Sequence, residues 1–193
     1  MPRKKEFDPD KALAKAMSIF WRLGYENTSL DLLLREMGIA KQSLYDTFGD
    51  KRGLYMQALA YYRRQTNDGL RRLFSASRPV KEVFAKILFG LSSESREQHE
   101  QGCLLLSANL ERDTSDAALA SFLRDNQLEV EEVFRQALLR AQKAGELSRK
   151  ADAKALARFF TVTIQGMRAM ARVRSDRQSL EQVARVALAA LDR

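Results

Sequence analysis

The sequence is poor in residues that interrupt helices and in residues that cross-link chains. Its 193 residues include nine glycines, three prolines and one cysteine, Cys103. A single cysteine excludes an internal disulfide and fits a reducing compartment, so we expect a cytoplasmic protein. No run of 18 apolar residues occurs, which argues against a membrane-spanning helix. The basic start Met-Pro-Arg-Lys-Lys is followed by acidic residues, so it does not predict a secretory signal.

Motifs of catalysis and cofactor binding are missing as well. The sequence has no glycine-rich phosphate loop, no nucleophile elbow and no cluster of metal ligands, and its one histidine, His99, has no evident acid–base partner. We therefore expect a protein that is not an enzyme and that holds no cofactor or metal. The net charge of +8 is compatible with a nucleic-acid partner, yet residues 1–55 carry ten Lys or Arg against eight Asp or Glu. Charge alone therefore does not locate a binding surface.

What the sequence has in abundance is apolar residues at spacings of three and four, the period of an amphipathic α-helix. The pattern covers nearly the whole chain and predicts an all-α fold of roughly nine helices of about average length. Capping residues mark several boundaries: Asp8 or Asp10 begins the first helix, Gly24 ends it, and Asp50 begins a long fourth helix. A polar stretch, Ser92 to Gln101, is expected to close the helix that precedes it.

The segment from Gly24 to Lys51 predicts two short helices joined by a glycine turn, which is the build of a helix-turn-helix. Thr28 and Ser29 supply hydroxyl caps for the first of these two helices, and Gly38 ends it. The next helix is predicted from about Ala40 to Phe48, with its polar residues in the first turn. This arrangement places one short helix in the position of a recognition helix.

Side chains of this segment have the chemistry of DNA contacts. Lys41, Gln42 and Ser43 occupy the first turn of the predicted recognition helix, where base edges are met. Glutamine can bond adenine through both amide atoms, and lysine can reach guanine. From these residues alone, a helical hairpin that touches no DNA is an equal alternative. Phosphate contacts are expected at the start of the preceding helix and beyond the recognition helix, from Thr28, Ser29, Tyr45 and Lys51.

A wider set of positions carries a family pattern: Phe20, Gly24-Tyr25, Thr28-Ser29, Gly38-Ile39-Ala40-Lys41, Leu44-Tyr45-Asp46-Thr47-Phe48, Asp50-Lys51 and Leu54. The pattern resembles the DNA-binding domain of the TetR/AcrR family of transcriptional regulators. The resemblance implies a three-helix DNA-binding domain at 1–52, a linking fourth helix at about 50–74, and a larger helical ligand-binding and dimerisation domain at 53–193. It also implies a homodimer that binds a palindromic double-stranded operator, usually represses, and leaves the DNA when a small-molecule effector binds.

The last two helices are the predicted dimer contact. One helix reads only about four base pairs, so pairing two copies on a palindrome multiplies specificity. Small residues there permit close helix approach. The alternative is that the same residues close the core of one monomer. The candidate contacts are Leu156, Phe159, Phe160, Ile164, Gly166, Met167 and Met170 in one helix, and Leu180, Val183, Val186, Ala187, Leu188 and Leu191 in the other.

A ligand site is harder to predict. His99 and Cys103 lie four residues apart, but no further His or Cys exists to complete a metal site. Gly102-Cys103-Leu104-Leu105 resembles a subset of the family that responds to electrophiles or oxidants, so a redox-responsive regulator is one alternative function. A buried, inert cysteine is the simpler interpretation. A helical adaptor that binds no DNA is a second alternative. The predicted ligand contacts are His99, Cys103, Asn109, Phe134, Gln165 and Arg168.

Overall fold

The computed structural model describes residues 7–75, 78–174 and 176–192. Within these ranges the chain forms ten α-helices and no β-strand, which confirms the predicted all-α fold. In chain order the helices are α1 (Pro9–Leu23), α2 (Leu30–Met37), α3 (Lys41–Phe48), α4 (Lys51–Ser75), α5 (Val80–Ser92), α6 (Arg96–Gln101), α7 (Leu104–Glu111), α8 (Ala117–Ala144), α9 (Ala153–Val173) and α10 (Arg177–Ala189).

The helix that sequence analysis missed is α6, which lies in the polar stretch expected to follow α5. Ser95 begins it with a capping box: the Gln98 N–H donates to Ser95 Oγ at 3.3 Å, and the Ser95 N–H donates to Gln98 Oε1 at 2.8 Å. Five of its six residues have charged or amide side chains, so the helix has no apolar periodicity. A pattern based on apolar spacing therefore could not find this helix, whereas the capping-box spacing could.

The predicted boundaries of the first four helices agree with the structure. Asp8 Oδ1 accepts from the Asp10 and Lys11 N–H groups at 3.0 and 3.2 Å, so Asp8 caps α1. Gly38 ends α2 in the left-handed conformation, with φ 71° and ψ 37°, which a glycine adopts without steric cost. Asp50 Oδ1 accepts from the Gly53 N–H at 2.6 Å at the start of α4.

Contacts divide the chain into two compact units. The N-terminal unit comprises Met1–Gln65 and Cys103–Leu119, and the C-terminal unit comprises Thr66–Gly102 and Ala120–Arg193. The first half of α4 belongs to the N-terminal unit because two of its tyrosines pack on α1. The Tyr55 ring lies 4.9 Å from the Phe20 ring, and the Tyr62 ring lies 4.9 Å from the Trp21 ring, centroid to centroid. The packing boundary therefore falls later in α4 than the predicted boundary at residue 52.

The core of the N-terminal unit fixes α2, α3 and the start of α4 around α1. It is built from large side chains that are almost completely buried. They come from the four helices α1 to α4, and each of these helices buries one face in the core. These side chains include Phe20, Leu33, Leu44, Phe48, Leu54 and Leu59.

The core of the C-terminal unit is centred on four phenylalanines. Phe84 of α5 stacks on Phe160 of α9 with ring centroids 4.0 Å apart. The ring centroids of Phe74 and Phe134 lie 5.0 and 5.2 Å, respectively, from that of Phe84. Phe134, which was predicted to contact a ligand, is 1% exposed and serves this core instead. Aromatic residues in such a cluster stabilise the unit through large buried area and favourable ring geometry.

Gly53 in the first turn of α4 is a steric requirement, and we predict that Gly53→Ala destabilises the protein. A Cβ at this position would lie 2.2 Å from the backbone oxygen of Phe48, so α4 would have to move away from the end of α3. We expect a loss of about 1–3 kcal/mol in the free energy of unfolding, measured by chemical denaturation.

Gly69→Ala in the same helix is the matched control. A Cβ there meets no atom within 4 Å, so the substitution should be neutral or stabilise by up to about 1 kcal/mol through helix propensity. Equal effects of the two substitutions would contradict the steric role of Gly53.

Candidate nucleic-acid interface

The third helix is sharply divided into a buried and an exposed face. Leu44 is 0% and Phe48 5% exposed, and they anchor the helix in the core of the N-terminal unit. Lys41 and Gln42 are exposed in the first turn, and Tyr45 is 42% exposed one turn later. Four of the predicted DNA contacts, Lys41, Gln42, Ser43 and Tyr45, therefore lie on one eight-residue helix, although Ser43 is only partly exposed.

The N-terminal end of α3 is left open by its sequence. Its N-cap is Ala40, which provides no side-chain hydrogen bond, and its first turn contains no acidic residue. In α2, by contrast, the cap Ser29 accepts from the Leu32 N–H at 3.1 Å. The first N–H groups of a helix carry partial positive charge, so the start of α3 favours an anionic or hydrogen-bond-accepting partner.

Aromatic and charged side chains support the start of α4 beside α3. The Lys51 Nζ lies 4.2 Å from the centroid of the Tyr25 ring, a cation–π contact that limits where the amine can reach. Arg52 forms an ion pair with Asp116, which precedes α8. Sequence reasoning missed this partner because 64 positions separate the two residues and no local pattern connects them.

Burial shifts the pKa of Tyr25, which contacts Lys51, and of its neighbour Tyr55. It raises the pKa of Tyr25 above its ordinary value of 10.0, and it raises the pKa of Tyr55 to about 12, with the nearby Glu111 carboxylate adding to the effect. The two rings contact each other at 4.8 Å between centroids. Both phenols are protonated at neutral pH, and the Tyr25 ring is the one that contacts the Lys51 amine.

Thr28 does not have the predicted role. Its side chain is fully buried, and its Oγ1 donates to the Gly24 backbone oxygen at 2.6 Å, while its N–H donates to the Tyr25 oxygen at 3.3 Å. Both donors are used inside the turn between α1 and α2, so Thr28 holds this turn and is not a phosphate contact. Ser29, next to it, is exposed and caps α2. Of the two residues predicted to cap α2, Ser29 is the N-cap and Thr28 is not.

The predicted ligand residues occupy several different environments. In the C-terminal unit, His99 is buried and its Nε2 donates to the Leu91 oxygen at 2.8 Å. Arg168 lies 3.7 Å from a Glu94 carboxylate oxygen, and Gln165 is exposed on α9. His99 and Phe134 are thus both buried within the C-terminal unit, and the Nδ1 of His99 has no hydrogen-bond partner among the described residues, so their ligand role stays a prediction.

Two further predicted ligand residues lie in the N-terminal unit. Cys103 is a free, partly exposed thiol at the N-cap of α7, and Asn109 is exposed and accepts a long hydrogen bond from Arg112 at 3.4 Å. Among the residues that the structure describes, no group of three or more His, Cys, Asp or Glu side chains could hold a metal ion. No helix in the described ranges is long and apolar enough to cross a membrane.

A cavity of about 690 Å³ opens in the C-terminal unit between α8 and the start of α9. Its volume lies in the range of small-molecule sites. None of the six predicted ligand residues lines it, and its walls combine acidic, basic and apolar side chains. The lining residues are Leu128, Glu131, Glu132, Arg135, Leu139, Gln142, Ala151, Asp152, Ala153, Lys154, Ala157 and Arg158.

Comparison with known families agrees with this architecture. The family model described as bacterial regulatory proteins, tetR family, matches residues 12–58, which include α2, α3 and the start of α4. The model described as tetracyclin repressor-like, C-terminal domain, matches residues 79–187. The chain belongs to the TetR family. It is a DNA-binding transcriptional regulator, and the family to which it belongs consists of regulators and not of enzymes.

Individual relatives match over nearly the full length. The uncharacterised HTH-type transcriptional regulator YezE of Bacillus subtilis is 34% identical over 194 residues, and the match covers 100% of this chain and 100% of YezE. The repressor ComR of Escherichia coli is 32% identical, with 94% of this chain and 88% of ComR covered. A cysteine mutant of the TetR family regulator CifR, solved with 26-bp double-strand operator DNA, is 32% identical with a TM-score of 0.84, over 98% of this chain and 99% of CifR.

The buried hydroxyl of Thr28 generates a stability prediction. Thr28→Val keeps the shape of the side chain but removes the donor to Gly24, which leaves a backbone oxygen unpaired. We expect the free energy of unfolding to fall by about 1–2 kcal/mol, while the affinity of the folded protein for DNA stays the same.

Thr28→Ser is the control, because it retains the hydroxyl and loses only one methyl group. A Thr28→Val protein with unchanged stability and weakened DNA binding would restore the phosphate role and contradict the structural one.

Proposed function

We propose that this regulator is a homodimeric repressor that binds a palindromic operator and leaves it when a small molecule binds to its C-terminal unit. The observation that carries the proposal is the exposed, uncapped first turn of α3, held in place by Leu44 and Phe48. Two lines of similarity support it: CifR was solved on operator DNA, and ComR is named a repressor. Because its partner is chromosomal DNA, we propose that it acts in the cytoplasm.

The exposed side chains of α3 and its surroundings divide by role. Lys41, Gln42 and Ser43 meet base edges in the major groove, since the first turn of a recognition helix enters the groove. Ser29, Tyr45 and Lys51 contact phosphates and so set the register of the helix without carrying sequence information. This division assigns specificity to the first turn of α3 and general affinity to the residues around it.

The dimer contact is proposed on α9 and α10, where large apolar side chains are exposed. On α9, Phe159, Val162, Met170 and Val173 are 42–83% exposed and follow one another at helical spacings, with the exposed Gly166 between them. Such a continuous apolar stripe on a surface helix is typical of a helix that buries it against a partner. Val162 and Val173 belong to this stripe, although the sequence pattern alone did not single them out.

On α10 the large exposed apolar residues are Val183 and Val186, at 45% and 73%. They lie three positions apart and therefore on one side of the helix. Several other predicted dimer contacts belong to the core of their own unit, which is the alternative role expected for them. These core residues are Phe160, Met167, Leu180, Ala187, Leu188 and Leu191.

An effector site is proposed in the C-terminal unit, since the unit contains a cavity of suitable volume between α8 and α9. Of the ligand contacts predicted from sequence, Gln165 and Arg168 belong to this unit and are at least partly exposed, so they remain candidates, although neither lines the cavity. Cys103 and Asn109 belong to the N-terminal unit, so their predicted ligand role stays a prediction separate from this site.

A mobility-shift assay tests the proposed function on the DNA upstream of the protein's own gene. We expect a complex that resists excess non-specific competitor and weakens steeply with salt, because phosphate contacts release counterions. A complex that competitor removes completely, or no complex at all, would contradict the proposal.

Two substitutions separate the proposed phosphate and base contacts. Lys51→Ala should weaken binding to all sequences alike and reduce the salt slope by about 1, whereas Gln42→Ala should relax the preference at particular base pairs by about 1–3 kcal/mol. The measurement is the dissociation constant on a set of operator variants at several salt concentrations.

Lys143→Ala is the control for charge alone, because Lys143 is exposed in the last turn of α8 in the C-terminal unit. Equal losses for Lys51→Ala and Lys143→Ala would remove Lys51 from the interface. A uniform loss for Gln42→Ala would remove its role in sequence reading.

A charge in the apolar stripe should separate the dimer. Val162→Asp buries a carboxylate in the proposed interface, so we expect the dimer dissociation constant to rise at least about tenfold while the helical content stays the same. Analytical ultracentrifugation measures the first quantity and circular dichroism the second.

Leu128→Asp is the matched control, since Leu128 is 54% exposed on α8 and lies outside the stripe. If Leu128→Asp dissociates the dimer and Val162→Asp does not, the interface has been placed on the wrong helices.

A further inference from the structure

A hydrogen bond on the exposed face of α3 restrains a residue that is proposed to read bases. The Gln42 Nε2 donates to Asp46 Oδ1 at 2.7 Å, one helical turn further along. Both side chains are exposed, so the bond is not a by-product of burial. Within the described part of the chain, this is the one side-chain hydrogen bond that Gln42 and Asp46 form. The spacing i, i+4 places the two on the same side of the helix.

The bond decides which way the Gln42 amide faces. A glutamine amide has one oxygen acceptor and an NH₂ group with two donors. A carboxylate only accepts, so it holds the nitrogen and repels the oxygen. With one N–H turned toward Asp46, the Gln42 side chain presents its Oε1 acceptor and its second N–H to an incoming partner. An adenine in the major groove offers the complementary pair, the N6 amino donor and the N7 acceptor.

We propose that Asp46 is a specificity-determining residue, which orients Gln42 for adenine without contacting the base itself. The inference rests on the proposed function, since it takes Gln42 to be a base contact. Without the carboxylate, the amide can rotate about its last bond and exchange its oxygen and nitrogen. It would then match bases with other donor and acceptor patterns, and the preference for adenine would fall.

The charge of Asp46 supports a role in selectivity over one in affinity. A carboxylate beside a nucleic-acid backbone repels the phosphates and lowers the affinity for any sequence. Residues 1–55 have only two more basic than acidic side chains, so this repulsion is not offset by a large surplus of positive charge. An acidic residue on the exposed face of a recognition helix therefore weakens non-specific binding while it orients Gln42.

The experiment is a double-mutant cycle on operator duplexes. The DNA is an upstream fragment that the wild type binds, together with variants of it in which each base pair is replaced in turn. We measure the dissociation constants of four full-length proteins on these duplexes: wild type, Gln42→Ala, Asp46→Ala and the double variant. We expect wild type to prefer adenine at one position of each half-site by about tenfold or more. Asp46→Ala should lose most of that preference, and it should bind non-specific DNA more tightly because a negative charge has gone.

The cycle separates orientation from an independent contact. In the Gln42→Ala background, Asp46→Ala should change the base preference no further, since nothing remains to be oriented. Asp46→Glu should retain most of the preference, because a carboxylate acceptor stays at the same spacing. Glu36→Ala, which removes an exposed acidic residue of α2, should leave the preference unchanged and so controls for charge.

Three outcomes would overturn the proposal. They are an Asp46→Ala protein with undiminished preference, additive losses in the two single variants, and a loss in Asp46→Glu as large as that in Asp46→Ala. If wild type forms no sequence-specific complex at all, it is the proposed function that fails, and the inference fails with it. Because Asp46 is exposed, thermal unfolding of each variant should match wild type, which confirms that a changed preference does not come from unfolding.

Discussion

An eight-residue helix cannot hold its shape in water by its own hydrogen bonds, so α3 depends on the burial of Leu44 and Phe48. These two side chains attach one face of the helix to the core formed with α1, α2 and α4. The close approach of Gly53 to the Phe48 oxygen lets α4 begin only three residues after α3 ends. The position of the exposed face, and with it the chemistry offered to DNA, follows from this anchoring.

Around that anchored face, the polar residues act in supported pairs. Asp46 restrains Gln42, the Tyr25 ring lies under Lys51, and the ion pair of Arg52 ties the start of α4 to a distant part of the same unit. A pre-oriented side chain loses less conformational entropy on binding than a mobile one. This explains how a segment with almost balanced charge can serve as a nucleic-acid interface, because placement contributes what net charge does not.

Much of this architecture was predictable, because helical periodicity and caps are local properties of the sequence. Asp8, Gly38 and Asp50 mark the boundaries that their chemistry predicts. The role of Thr28 was not predictable, since two adjacent hydroxyl residues compete for one cap and only the turn geometry decides between them. Helix α6 lacks apolar periodicity. The division of α9 and α10 into core and exposed stripe requires the burial of each residue, which depends on contacts with elements far away in the sequence.

The most direct test of the central claim, that α3 reads DNA as part of a two-fold pair, is selection of bound DNA from a random pool by the full-length protein. We expect enrichment of an inverted repeat whose half-sites lie about 10 base pairs apart, centre to centre, or a multiple of that spacing. We also expect the repeat to occur upstream of a gene in the host genome. Recovery of unrelated sequences, or of a single site without two-fold symmetry, would contradict it.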